Sequence, residues 1–230
     1  MEGNFSWRSW SSTPFLQAQK ATDESERNAT AVVRLVGFAS GIQDAEAVFK
    51  VVQSKVMELA EACVLENRKM IVTWDGDLHA TDSFSAIIDA LFVCMPPNVL
   101  FVAHRKKDEV ADFLVKGNFS FLDASTVRLG DSESVQELLD DVDCRFAIIE
   151  ISAHRAASYL DLSICALEWA RDVAQVRAIN VMCVGGGECV RQEISHVRAG
   201  KLPGLVVHYA ALPVARRKAD GTLEIADHFA

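Results

Sequence analysis

Three absences narrow the field before any motif is considered. No run approaches the roughly 20 apolar residues of a membrane-spanning helix, so no membrane partner is expected. No Cys-x-x-Cys pair occurs among Cys63, Cys94, Cys144, Cys165, Cys183 and Cys189, which argues against a zinc knuckle or a dithiol redox centre. Several of these cysteines lie inside apolar segments and read as small, reduced core residues. Concentrated positive charge is also missing. The formal net charge is −9, and the basic clusters Arg105-Lys106-Lys107 and Arg216-Arg217-Lys218 are short. Neutralising a nucleic-acid backbone needs far more, so no nucleic-acid partner is expected.

What is present is globular. Half of the 230 residues are hydrophobic and 24% are charged, enough for one large domain with a substantial core. Residues 1–30 differ in composition. MEGNFSWRSWSSTPF is Ser-rich with Trp7 and Trp10, and the polar ATDESERNAT follows. The segment lacks the continuous apolar stretch of a signal peptide. It reads as a poorly ordered arm before a single domain at 31–230, with an organelle-targeting leader as the alternative to a cytoplasmic location. Trp7 and Trp10 suit docking on the domain or on a partner subunit.

From Ala31 onward, β-branched apolar runs alternate with segments of helical period. Strands are expected at Ala31–Phe38, Met70–Trp74, Val99–Ala103, Arg145–Ser152, Ile179–Val184 and Gly204–Leu212, with weaker strand signals in Phe119–Leu129. Between them, Asp44–Leu65 repeats apolar residues at Val48, Val51/Val52, Val56, Leu59/Ala60 and Cys63, a spacing of three and four. Further helices are expected at Ser83–Val93, Asp108–Lys116, Ser132–Asp141, Leu160–Val176 and from the glycines to about Val197. The tail carries a turn at Asp220-Gly221 and a short final element. Strands apolar on both faces, separated by helices, predict an α/β fold: a three-layer Rossmann-like domain with a mostly parallel sheet of six or seven strands.

Ligands in such a sheet bind at the carboxyl ends of the strands, near a switch in strand order. The loops expected there are GFASGIQD (Gly37–Asp44), WDGDLHATDS (Trp74–Ser83), AHRKK (Ala103–Lys107), SAHRAAS (Ser152–Ser158) and VGGGE (Val184–Glu188). The last has a definite rationale. Glycine permits close backbone approach, and a helix N-terminus offers free N–H groups to a phosphate or carboxylate. A plain strand-to-helix turn is the competing reading, with Glu188 satisfying the dipole of the first turn. The spacing matches neither a Walker loop nor GxGxxG.

Two other constellations carry chemistry. Asp75 and Asp77 place carboxylates two residues apart after a strand, as a Mg²⁺-dependent phosphohydrolase would. His79, His104 and His154 each follow an expected strand and could converge on that edge, although their spacing is no metal motif. No metal site is therefore assigned.

Taken in order, these loops resemble the SLOG superfamily of Rossmann-like proteins, which includes the LOG phosphoribohydrolases. The first strand's GFASG is similar to the family's Gly-Ser-rich turn. VGGGECVRQE resembles its PGGxGTxxE, which puts Gly186-Gly187 on the glycine pair and Glu193 on the glutamate. KLPGLVVHY is similar to its short loop and closing strand. The resemblance implies a nucleotide or nucleotide-derivative pocket, with Gly37, Ser40, Gly41, Asp77, Gly185, Gly186, Gly187 and Glu188 as ligand-binding candidates. It implies an acid, Glu193, and an arginine, for which Arg155 is the candidate carried forward beside the nearby Arg191. Asp75 completes the catalytic candidates.

Cys189 and Val190 stand where the family has Gly-Thr, and Asp-Gly-Asp replaces its second glycine cluster. The first departure favours a binding loop, in a sensor or a degenerate ribohydrolase, over a catalytic one, and the second would repel an anion unless a cation intervenes. No cofactor is assigned, Mg²⁺ belonging only to the phosphohydrolase reading. A ligand-free scaffold or oligomerisation domain is the third reading. A homodimer is compatible with the first and third, because long apolar helices such as Leu160–Val176 could face a second copy.

Overall fold

The structure, a computed structural model, describes residues 30–37, 44–75, 83–116, 119, 126–141, 143–185, 187–212, 214–217 and 220–226. Seven strands form one sheet: β1 Ala31–Gly37, β2 Met70–Trp74, β3 Val99–Lys106, β4 Val127–Gly130, β5 Phe146–Ile151, β6 Ala178–Val184 and β7 Val206–Leu212. Their order is β4-β5-β3-β2-β1-β6-β7, and every neighbouring pair is parallel. The expected α/β three-layer architecture is the one observed, with all seven strands parallel.

Among the described residues, six helices cover the sheet: α1 Ala45–Leu65, α2 Ser83–Cys94, α3 Val110–Lys116 (entered through a 3₁₀ turn, Lys107–Glu109), α4 Gln136–Asp140, α5 Tyr159–Asp172 and α6 Glu188–Arg198. Local chemistry fixes several of their starts. The Asp44 side chain accepts the Ala47 N–H at the head of α1. Ser158 and Asp161 exchange hydrogen bonds in a capping box before α5, which satisfies two N–H groups that the first turn leaves open.

The sequence pattern explains the layers. β1 to β3 proceed in one direction across the sheet, and β6 returns to the far side of β1. Right-handed crossovers therefore place the early and late helices on opposite faces. On one face Val33, Leu35, Val72, Trp74 and Phe101 pack with Val52, Val56 and Leu59 of α1, Ile88 and Leu91 of α2 and Phe113 of α3. On the other, Val32, Val36, Ile71, Leu100 and Val102 pack with Leu162 and Leu167 of α5 and Val190 and Ile194 of α6. Both faces are covered, which is why the strands read as continuous apolar runs.

Some expectations change in detail. The acidic helix shrinks from Ser132–Asp141 to α4, and the weak strand signal resolves to β4 alone, residues 120–125 lying outside the described set. The Arg145–Ser152 strand enters as β5, between β3 and β4, because the chain skips one place in the sheet before β4 and fills it afterwards. Helix α5 buries Leu162, Cys165, Ala166, Leu167, Trp169 and Ala170 within this chain. The tail forms an antiparallel hairpin, β8 Val214–Arg217 with β9 Leu223–Ala226. Its Asp220 accepts from the Thr222 N–H and hydroxyl in the expected turn. Of the N-terminal arm, only Thr30 lies within the described residues.

Candidate functional site

The strand order reverses between β1 and β6, so their carboxyl ends border the crevice where ligands of such sheets bind. Gly37 ends β1 opposite Val184. A Cβ at Gly37 would lie 2.0 Å from the Val184 carbonyl oxygen, so only glycine lets the two backbones approach this closely. Gly185 turns the chain with φ 63°, and its N–H donates to the Leu212 carbonyl at 2.9 Å, which ties the turn to β7. Gly187 is the N-cap of α6, and no side chain caps the helix. Its first-turn N–H groups are therefore left to water or an anion. Glu188 faces outward, holding Arg191 at 2.8 Å and accepting from Gln192.

Beneath this edge, between the sheet and helices α5 and α6, lies a buried charged cluster. Arg34 shares a face of β1 with Val32 and Val36 and is fully buried. Its Nη1 and Nη2 donate to the two carboxylate oxygens of Asp75, the residue that follows β2. Nη2 also donates to Ser163 Oγ on α5 at 2.6 Å and to Glu193 Oε2 on α6 at 3.1 Å. Ser163 in turn donates to Asp75 Oδ2 at 2.8 Å, and the Tyr209 hydroxyl of β7 donates to Glu193 Oε1 at 2.9 Å. One guanidinium thus meets two carboxylates, of which Glu193 is buried and Asp75 keeps 13% of its side chain exposed.

The electrostatics follow from that geometry. Burial alone would loosen the proton on Arg34, but Asp75 and Glu193 outweigh it and raise the pKa. Burial pushes Asp75 up, and the charge and hydrogen bonds of Arg34 overcome this, holding the carboxyl below its ordinary value. The Tyr209 phenol is raised by burial and then by Glu193, so it stays a donor. Burial, reinforced by Glu193, pushes the Cys183 thiol up to about 12.

His104 completes the group. It lies within β3, which runs three residues beyond its expected end, and its Nδ1 is 2.8 Å from Thr73 Oγ1. Its ring meets Trp169 edge-on at 4.9 Å. Burial pushes its pKa down to about 3, against the pull of Asp75 and with the help of Arg34. The imidazole is neutral, and Nε2 has no hydrogen-bond partner among the described residues.

The structure therefore brings two sequence candidates together, Asp75 and Glu193, through an arginine that the sequence reading did not select. Glu193 is 1% exposed, although it lies on a helix that covers the sheet. Arg155 stands elsewhere. It lies on the loop after β5, partly exposed, clamped by Asp131 at 2.5 Å and Glu168 at 2.9 Å. His154 is exposed in the same loop, apart from His104. Ser40, Gly41, Asp77, His79, Asp82 and Gly186 lie outside the described residues. Among the described residues, no group of three or more His, Cys, Asp or Glu could hold a metal ion.

The missed residues left a trace in the sequence. Arg34 is the lone charge in AVVRLVG, a run otherwise suited to burial on both faces, and Tyr209 is one of two tyrosines in the chain. Two grooves of about 360 and 340 Å³ flank α5, but neither is lined by a member of the Arg34 cluster. Compared with protein-family models, curated proteins and solved structures, the chain matches none.

Proposed function

We propose that this chain is a SLOG-like domain that binds a nucleotide or nucleotide derivative. The anionic part of the ligand would lie over the junction of β1 and β6, against the first turn of α6. One observation carries the reading. Gly37 is pressed against the Val184 carbonyl where strand order reverses, and α6 starts just beyond Gly185 with no side-chain cap. That combination gives an anion both access to backbone and the positive end of a helix.

The state of the two carboxylates favours binding over catalysis. Asp75 and Glu193 are engaged by Arg34, Ser163 and Tyr209, so neither is free to act as acid, nucleophile or Mg²⁺ ligand without breaking the cluster. A sensor, or an enzyme that has lost its chemistry, fits this better than an active hydrolase.

A thermal-shift panel of nucleotides, with and without Mg²⁺, tests the reading. At a hundredfold excess over Kd a ligand stabilises by about 2.7 kcal/mol, a rise of roughly 5–10 °C in Tm for a chain of this size. No shift with any nucleotide removes the proposal and leaves the ligand-free scaffold.

A further inference from the structure

Helix α5 carries Cys165, Glu168, Trp169 and Asp172 at intervals of three and four, which form one stripe along it. A groove of about 340 Å³ is lined by this stripe, by Asp131 and Ser132 of the turn after β4, and by Arg155 of the loop after β5. That volume lies in the range of small-molecule sites. No member of the Arg34 cluster lines the groove, so it stands independently of the proposed nucleotide junction.

The lining holds an unmet donor. Trp169 is 2% exposed, and its ring is fixed in the core by edge-on contact with His104. Its Nε1–H has no acceptor among the described residues. A buried indole N–H normally finds a partner, and leaving one unmet costs free energy. The groove that Trp169 lines is where an acceptor can arrive.

The rest of the lining is charged. Arg155 donates through Nη1 to Asp131 Oδ2 at 2.5 Å and through Nη2 to Glu168 Oε2 at 2.9 Å. The Cys165 thiol donates to the Arg155 carbonyl at 3.6 Å, which pins the loop to α5. A guanidinium has five N–H donors, so Arg155 retains some for an anion. Asp131 Oδ1 and Glu168 Oε1 take no part in these bonds and remain for a cation. Asp172 is held by Arg171. Three carboxylates thus stand against two guanidiniums, and an occupant with one net positive charge completes the balance.

We infer that the groove binds a free basic amino acid. Its carboxylate accepts from Trp169 Nε1 and Arg155, and its ammonium and side-chain cation donate to Asp131 and Glu168. The buried donor distinguishes this groove from a solvated acidic patch, because a bare cation would leave the indole N–H unmet.

Titration calorimetry of the full chain with free lysine and free arginine tests the site, with Tm recorded for every variant. The parent should show saturable binding. Glu168→Gln alters only a partly exposed ion pair, and Trp169→Phe keeps an aromatic ring while removing the N–H. Each should raise Kd about tenfold or more. Glu46→Gln, exposed on α1 across the sheet, loses the same charge and should bind as the parent does. Unchanged affinity in both groove variants overturns the proposal. So does the absence of both saturable heat and a rise in Tm with either amino acid. Nα-acetyl-lysine amide and putrescine keep a cation but lack the carboxylate, and both should bind at least tenfold more weakly than lysine. Binding of either as tight as that of lysine also overturns the proposal and assigns the groove to peptide side chains or polyamines.

Discussion

Arg34 Nη2 lies 3.1 Å from Glu193 Oε2, so an interior strand, β1, and a helix that covers the sheet are joined by opposite charges inside the molecule. Buried ion pairs are seldom large net stabilisers, because desolvation offsets attraction. Removing one member is another matter, since its partners are then buried with no compensating charge. The cluster matters through this asymmetry, and it ties β1, the end of β2, α5, α6 and β7 into one unit.

Arg34→Met should accordingly destabilise the protein by about 3–5 kcal/mol, because it leaves Asp75 and Glu193 without their cation. Urea unfolding at neutral pH measures this. A loss below about 1 kcal/mol would mean that the carboxylates find another partner or stay protonated.

Stability should fall as the solution is acidified, for two reasons with the same sign. The folded pKa of His104 is about 3, below its ordinary value of 6.5, so between these pH values the unfolded chain binds the extra proton. Asp75 is likewise held below its ordinary value of 3.8, and its contribution fades as pH drops through the folded pKa. Each proton taken up only on unfolding removes about 1.4 kcal/mol per pH unit. Denaturation series from pH 7 to pH 3 should show a decline beginning below about 6.5 that weakens in His104→Asn. An unchanged slope in that variant would exclude His104 as a source.

Gly37→Ala should destabilise by about 1–3 kcal/mol or more, because the new methyl meets the Val184 carbonyl at 2.0 Å, and this oxygen belongs to backbone that cannot rotate away. Forcing β1 and β6 apart would also widen the proposed ligand junction. A lower melting temperature together with a loss of any nucleotide-induced shift is the expected pair of results. A variant as stable as the parent would show that the two strands yield.

Arg155→Ala should do little. Its guanidinium is 39% exposed, as a side chain, between Asp131 and Glu168, and such surface pairs contribute at most about 1 kcal/mol. Nucleotide-induced shifts should be the same as in the parent chain. A selective loss of binding with unchanged stability would restore Arg155 to the site.

The strands and helices were legible because their signals are local. AVVRLVG announces a strand covered on both faces, and the apolar positions of Asp44–Leu65 announce a helix, whatever the rest of the chain does. Asp75 shows where locality misleads. Its nearest carboxylate in sequence, Asp77, suggested a catalytic pair, but its carboxylate turns to Arg34, 41 residues earlier. His104 was read as a loop residue because nothing in AHRKK marks the end of β3; pairing with β5 carries the strand on to Lys106. Glu193 stood out only through a resemblance, and the sequence held no sign of which cation would meet it.

By itself the sequence determined the alternation of strand and helix, the covering of both sheet faces and the glycines that let β1 and β6 turn at one edge. These follow from side-chain period, β-branching and backbone freedom, which act over a few residues. Only the tertiary structure decided that β6 and β7 lie on the far side of β1. That placement puts Arg34 at the centre, with Asp75 from one neighbouring strand, Glu193 from the helix after the other, and Tyr209 one strand further out. Charges separated by 41 and 159 residues meet because strand order, which no local preference encodes, sets which buried groups become neighbours.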